Sequence, residues 1–365
     1  MAKIHITLVG GQPAPVYHGI VATQPDKVVF IYSDKTREVA ERISAEVHIS
    51  SERRKIDPVD LNDIEKKVTI CAEQFKKDEV TINISSGTKP WAFYFARIFG
   101  GMPNATLFYV DQNNILWNLS DKSSRKVKFN MDALFRMLGN PLERFVRFDD
   151  YDDEDIKTLS SIQELFAFNS VNMFRLINEA KTKTNLTEHH LKNGSYMKWI
   201  PSLKQFEVKI TNGKQSIQKT LKSKHVRDML MKTAWFEYTV AELLNKWDKS
   251  ETIRMNCIFP YKDSAAKNEI DVLVEAGSKL LFVECKTQIE DNTDIDKFAS
   301  AVRNYGGLGS KSLFVTYARM QEKALEKCKD NGILTYSLQD DHLGMSHEKA
   351  LALLLDNELF NINTK

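Results

Sequence analysis

The segment NEIDVLVEAGSKLLFVECKTQ, Asn268 to Gln288, reads as two apolar strands joined at a turn around Gly277. Three charges interrupt it. Asp271 breaks the first strand, and Glu284 and Lys286 break the end of the second. A buried carboxylate is costly unless it is paired or bound to a cation. Side chains alternate along a strand, so Glu284 and Lys286 share a face. The same alternation puts Asp271 on the face opposite Ile270 and Val272, and a hairpin brings it beside Glu284. Two carboxylates this close repel, and each favours a proton. A divalent cation removes the conflict, and hard oxygen ligands suit Mg²⁺ or Mn²⁺. The Lys286 ammonium would then hold or activate an attacking water, or neutralise charge on a phosphate.

Upstream, MKTAWFEYTVAELL falls in a helix expected from Val226 to Trp247. Glu237 shares an apolar stripe there with Leu230, Ala234, Ala241 and Leu244. A carboxylate in such a stripe needs a partner, and a metal bound directly or through water would supply one. The simpler alternative is a buried ion pair, Asp271–Lys286 or Glu284–Lys286, with no catalysis.

An acid in one strand, E-x-K in the next and an acid on the preceding helix together resemble the PD-(D/E)xK restriction-endonuclease-like nucleases. Asp271 matches their metal-binding Asp, and Glu284-Cys285-Lys286 matches their (D/E)xK. The resemblance implies that Asp271, Glu284, Lys286 and Glu237 are catalytic. It also implies that Cys285 offers its backbone carbonyl to the metal. Ile270 stands where the name-giving Pro would be, and that Pro is not a ligand. DNA and RNA both remain open as substrate.

The chain has 365 residues, enough for two or three domains. Hydrophobic residues at 42% and charged residues at 27% make an ordinary globular mixture. A net charge of +2 rules out a global field for nucleic acid, so any such contact needs a local patch. Four cysteines without a C-x-x-C pair fit a reducing, cytoplasmic setting and argue against a zinc ribbon. The start carries no apolar signal region, and no stretch is long and apolar enough to span a membrane, so no membrane association is expected.

Residues 1–145 alternate strand and helix signals, the pattern of a parallel Rossmann-like sheet. The acidic run FDDYDDED, Phe148 to Asp155, is a solvated linker or a helix N-terminus. Residues 146–225 read as a small α+β module, with a hairpin at Asn212-Gly213 suggesting a winged-helix-like unit. Residues 226–365 read as an α/β/α domain around a mixed sheet. Its Gly-rich NYGGLGSKS, with Arg303 and Lys311, is a phosphate-approach loop or a plain connector. KDSAAKNE, Lys262 to Glu269, is an exposed turn expected near substrate.

Two N-terminal loops carry further chemistry. Gly10, Gly11, Gln12 and Pro13 end the first strand. NISSGTKPW places Ser85, Ser86, Gly87, Thr88 and Lys89 between a strand and a helix. Free N–H groups at that helix start favour an anion, and strand carboxyl ends are where open α/β sheets bind ligands. Ordinary turn and cap chemistry is the other reading. With the domain order, these loops resemble CARF proteins, sensors of cyclic oligoadenylate in type III CRISPR defence. The whole chain is similar to the ancillary nucleases of the Card and Can type. That resemblance implies a two-fold homodimer and carries over all nine loop positions as ligand contacts. It also implies an allosteric cyclic oligoadenylate activator, cyclic tetra-adenylate preferred on two-fold grounds and cyclic hexa-adenylate open.

Two other readings stand beside it. One is a ligand-responsive transcriptional regulator binding duplex DNA through Lys204, Lys209, Lys214 and Lys219. The other is a ring nuclease that degrades its own activator.

Overall fold

The computed structural model describes residues 1–182, 187–260, 268–289, 292–306 and 310–362. The first strands, β1 (Lys3–Leu8) and β2 (Lys27–Tyr32), are almost wholly buried. Parallel strands covered on both faces require such apolar runs. Around them run α1 (Pro13–Thr23), α2 (Arg37–Val47), β3 (Ser51–Lys55), α3 (Leu61–Gln74) and β4 (Glu79–Asn83). Next come α4 (Lys89–Phe99), β5 (Ala105–Val110), β6 (Ile115–Asn118) and β7 (Ser124–Lys126). The sheet order is β3-β2-β1-β4-β5-β6-β7, parallel through β5 and antiparallel beyond it. The order reverses between β1 and β4, which opens a crevice at their carboxyl ends.

A short helix follows, α5 (Met131–Leu138), then the strand β8 (Arg144–Val146). α5 serves two cores. Ala133 and Met137 pack with Val28 and Phe30 of the first sheet. Met131 and Phe135 pack with Phe259 and Phe282 further along the chain. β8 joins the last sheet, so the boundary expected at residue 145 falls inside a strand of the C-terminal unit.

The acidic run starts α6 (Asp153–Lys181). Asp152 and Asp155 cap each other's backbone N–H groups there. α6 kinks at Asn169, whose backbone is non-helical. It packs on a four-stranded antiparallel sheet of β9 (Glu188–His190), β10 (Tyr196–Ile200), β11 (Gln205–Asn212) and β12 (Gln215–Lys222). The expected two-stranded wing is the outer half of this sheet, turned at Gly213.

The single helix expected from Val226 to Trp247 is two. α7 (Val226–Met231) and α8 (Ala234–Asn245) are separated by Thr233, which sits at φ +66. The stripe through Leu230 therefore does not run on to Glu237. The last sheet holds β13 (Thr252–Phe259), β14 (Asn268–Ala276), β15 (Lys279–Lys286), β16 (Ser310–Thr316) and β17 (Leu334–Ser337). Its order is β17-β16-β15-β14-β13-β8. One face packs on α8, α11 (His347–Phe360), α6 and the middle sheet in a shared core. The other packs on α5, α9 (Thr293–Tyr305) and α10 (Glu322–Asp330).

Candidate functional site

The β14–β15 hairpin has the register the sequence implied. Val272 faces Val283, and one step further puts Asp271 opposite Glu284. Simple alternation fails at this point, however. Ile270 and Val272 pack in different cores, on opposite faces of the sheet. The cause lies on the neighbouring strand. Asn256 has φ +49 between the paired residues Met255 and Cys257, which also belong to opposite cores. The local twist that results leaves Asp271 at the crossover.

Asp271 is 8% exposed. Its Oδ2 accepts the Cys285 N–H at 2.7 Å and lies 4.0 Å from Lys286 Nζ. Lys286 Nζ is 2.5 Å from Glu284 Oε1. Burial and the carboxylate of Asp271 push Glu284 up to about 8. Burial pushes Asp271 up to about 6 against the pull of Lys286 and the Cys285 N–H. Glu237 enters from α8. Its Oε2 is buried without a hydrogen-bond partner among the described residues, and burial followed by the charge of Asp271 raises it to about 9. Burial opposes the charge on Lys286, but Asp271 and Glu284 outweigh it and raise its pKa. The Cys285 thiol is buried and held well above its usual range, so it is no nucleophile.

Asp271, Glu284, Cys285 and Lys286 thus converge, and Glu237 stands within electrostatic reach. Two further acids act on the group. Glu269 raises Asp271 and Glu237, and Asp294 at the start of α9 raises Glu284 and Lys286. Glu269 had a signal in the sequence, since it lies two residues before Asp271. Asp294 had none, because the fold alone brings α9 to β15. Of the expected substrate loops, residues 261–267 and 307–309 lie outside the described part.

Among the described residues, no three His, Cys, Asp or Glu side chains are arrayed to hold a metal as they stand. The Lys286 ammonium occupies the Glu284 oxygen instead. The donor chemistry nevertheless fits a hard divalent cation. Two buried carboxyl groups are close enough to repel, and a third offers an orphaned oxygen.

The N-terminal loops meet across the crevice between β1 and β4. Gly10 N donates to Ser86 Oγ at 3.0 Å. A Cβ at Gly10 would stand 2.5 Å from that oxygen and 2.9 Å from Gly87 N, so only glycine fits. Gly87 has φ +79, and its Cβ would meet Leu8 and Trp91. Ser85 is engaged within the protein. Its Oγ donates to Asn83 and accepts from Val110 N. Thr88 caps α4 by accepting from Trp91 N and donates to Pro58 O. Gly11, Gln12, Gly87 and Lys89 are exposed at the crevice mouth, and Pro13 is buried at the start of α1. The loop positions thus divide into a scaffold of Gly10, Pro13, Ser85 and Thr88 and a presented set of Gly11, Gln12, Ser86, Gly87 and Lys89.

Comparison with known proteins agrees with this layout. Residues 3–114 match a family model described as HFX_2341_N-like, N-terminal, and residues 232–335 match a domain of unknown function, DUF4143. No curated protein matches. Can2 from Sulfobacillus thermosulfidooxidans, solved with cyclic tetra-adenylate, is similar over 98% of this chain and 99% of its own, with TM-score 0.72 and 18% identity. Protein VC1899 from Vibrio cholerae is similar over 98% of each chain, with TM-score 0.74 and 16% identity. A type III CRISPR defence DNA nuclease activated by cyclic oligoadenylate aligns with 96% of this chain and 52% of its own. Its TM-score is 0.61 and its identity 18%. The chain therefore has the multi-domain α/β fold of these proteins. Among the described residues, no helix is long and apolar enough to cross a membrane.

Proposed function

We propose that this chain is a homodimeric endonuclease, gated by cyclic oligoadenylate and dependent on Mg²⁺ or Mn²⁺, acting in type III CRISPR defence. The observation that carries the reading is the convergence of Asp271, Glu284 and Lys286 on one hairpin, with the orphaned Glu237 oxygen facing them. A salt bridge alone would leave Glu237 buried and, among the described residues, unpaired, which a purely structural role does not explain. The fold shared with Can2 and with the cyclic-oligoadenylate-activated nuclease supports the same reading.

Asp271, Glu284 and the Cys285 carbonyl would hold the cation, with Glu237 adding an oxygen directly or through water. When bound, it polarises a phosphoryl oxygen and lowers the pKa of a coordinated water. Lys286 keeps its proton beside these carboxylates and is placed to orient the attacking water or to offset phosphate charge. The Cys285 N–H fixes the Asp271 carboxylate. The presented loop residues at the crevice between β1 and β4 are the ligand contacts, and cyclic tetra-adenylate is the preferred activator. The ligand must bind the active arrangement more tightly than the resting one to shift the equilibrium. The regulator reading is weaker, since Lys219 of the supposed wing is ion-paired with Glu164.

The test is a cleavage assay crossing single- and double-stranded DNA and RNA with cyclic tetra- and hexa-adenylate, with Mn²⁺ or chelator. Glu284→Ala and Lys286→Ala are expected to lower ligand-stimulated cleavage roughly 100-fold or more. Unchanged cleavage in either variant sinks the assignment.

A further inference from the structure

Four residues ahead of Glu237 the backbone is strained. Thr233, between α7 and α8, holds φ +66 and ψ +13. Left-handed backbone is an outlier for a β-branched side chain and persists only where the surroundings dictate it. Among the described residues no side-chain bond caps α8 there, and the Thr233 hydroxyl donates to Lys232 O at 2.6 Å. The sequence from Val226 to Trp247 contains neither Gly nor Pro, so its local preference is one unbroken helix.

Tertiary contacts outweigh that preference. Trp235, in the first turn of α8, stacks on Phe166 of α6 with ring centroids 4.0 Å apart and meets the Tyr317 ring edge-on at 5.9 Å. Tyr238 takes the Tyr151 ring edge-on at 4.9 Å and the Phe148 ring at 5.5 Å. Trp235 and Tyr238 are both buried. Phe148 and Tyr151 belong to the acidic run that leads into α6, so this run grips the helix that carries Glu237. The two gripped residues bracket Glu237, and α8 packs on β14 and β15, which hold the other acids. Relaxing Thr233 to the ordinary helical φ of about −63° would re-aim the first turn of α8, and Glu237 with it.

We propose that Thr233 is a positioning residue. Its left-handed backbone, held by the aromatic contacts on Trp235 and Tyr238, aims Glu237 at the cation site. The inference rests on the divalent-cation reading above.

Calorimetric titration of the full chain with Mn²⁺ tests it, with melting in chelator alongside. Thr233→Val keeps the branching and removes the hydroxyl bond to Lys232 O. Tyr151→Ala removes one ring from Tyr238 and leaves position 233 alone. Each lowers the fraction of chains with Glu237 in place and is expected to bind Mn²⁺ about fivefold more weakly. Thr233→Gly removes the Cβ that makes the conformation costly. It is expected to keep wild-type affinity, to melt a few degrees higher, and to restore affinity when combined with Tyr151→Ala. In a Glu237→Gln background, none of these changes is expected to move Mn²⁺ affinity by more than about twofold. Wild-type affinity in folded Thr233→Val and Tyr151→Ala overturns the proposal, whatever their Tm. Failure of Thr233→Gly to restore Tyr151→Ala overturns it as well, and this pair decides alone if Thr233→Val does not fold. A loss that persists in the Glu237→Gln background also overturns it, because the joint then acts through another group. A wild-type chain that binds no Mn²⁺ overturns the cation reading itself, and the positioning role with it.

Discussion

The carboxyl groups in and around the hairpin are pushed toward their protonated forms by burial and by one another. Burial raises both Glu237 and Glu284; Glu284 has the Lys286 ammonium beside it, whereas Glu237, raised to about 9, holds its proton near neutral pH. This has a consequence for stability. Folded Glu237 stays protonated where an unfolded Glu has ionised near 4.5. Between those values the folded chain binds more protons than the unfolded chain, so stability falls as pH rises through the window. Melting measured in chelator from pH 5 to 9 should therefore show a falling Tm, and Glu237→Gln should flatten the fall. A variant that tracks the wild type in parallel at every pH removes Glu237 from this account. The residues themselves were legible in the sequence because charge stands out in apolar strands. The face on which Asp271 sits was not. It depends on the backbone of Asn256, on another strand, and no alternation rule within β14 could supply it.

Elements were legible where burial dictates composition. β1, β2, β4, β5, β15 and β16 all follow from apolar runs, and Thr88 and Pro90 mark the start of α4. β3 was missed because it is an edge strand, SERRK, whose alternate side chains are exposed. β13 was missed although it is apolar and the polar Asp248-Lys249-Ser250-Glu251 sets it off from the preceding helix. The break at Thr233 was also missed, because no Gly or Pro marks it. α5 is the element with most consequence. Phe135 is fully buried, with ring centroids 5.0 Å from Phe259 and 6.3 Å from Phe282. Phe135→Ala is expected to cost about 3–5 kcal/mol. Urea unfolding followed by fluorescence checks this, and a loss under 1 kcal/mol (about the cost of an ordinary surface change) contradicts the shared-core account.

At the scale of the molecule, the N-terminal sheet and the last sheet are joined by more than a tether. Arg254 of β13 is buried and makes a two-pronged pair with Asp132 of α5, while its guanidinium lies 4.2 Å from the Phe145 ring centroid. The bond between Arg254 Nη2 and Asp132 Oδ2 is 2.7 Å. Composition could not reveal this union, because the sequence places the domain change where strand and helix signals change. The joining is done by α5, which contributes side chains to both cores. For anyone recombining such proteins, this sets where the chain can be cut. A chimera that exchanges residues 1–145 for the matching part of a protein of the same fold splits β8 and presents a foreign helix to Phe259, Phe282 and Arg254. One that exchanges residues 1–128 leaves those contacts native and instead disturbs the Ala133 and Met137 side of α5, with the Arg136–Glu46 and Lys126–Glu251 ion pairs and the Arg42 bond to Met137 O. The second chimera should be soluble and monodisperse by size-exclusion chromatography where the first aggregates. The usable joint between the N-terminal sheet and the last sheet thus lies before the helix they share, not after it.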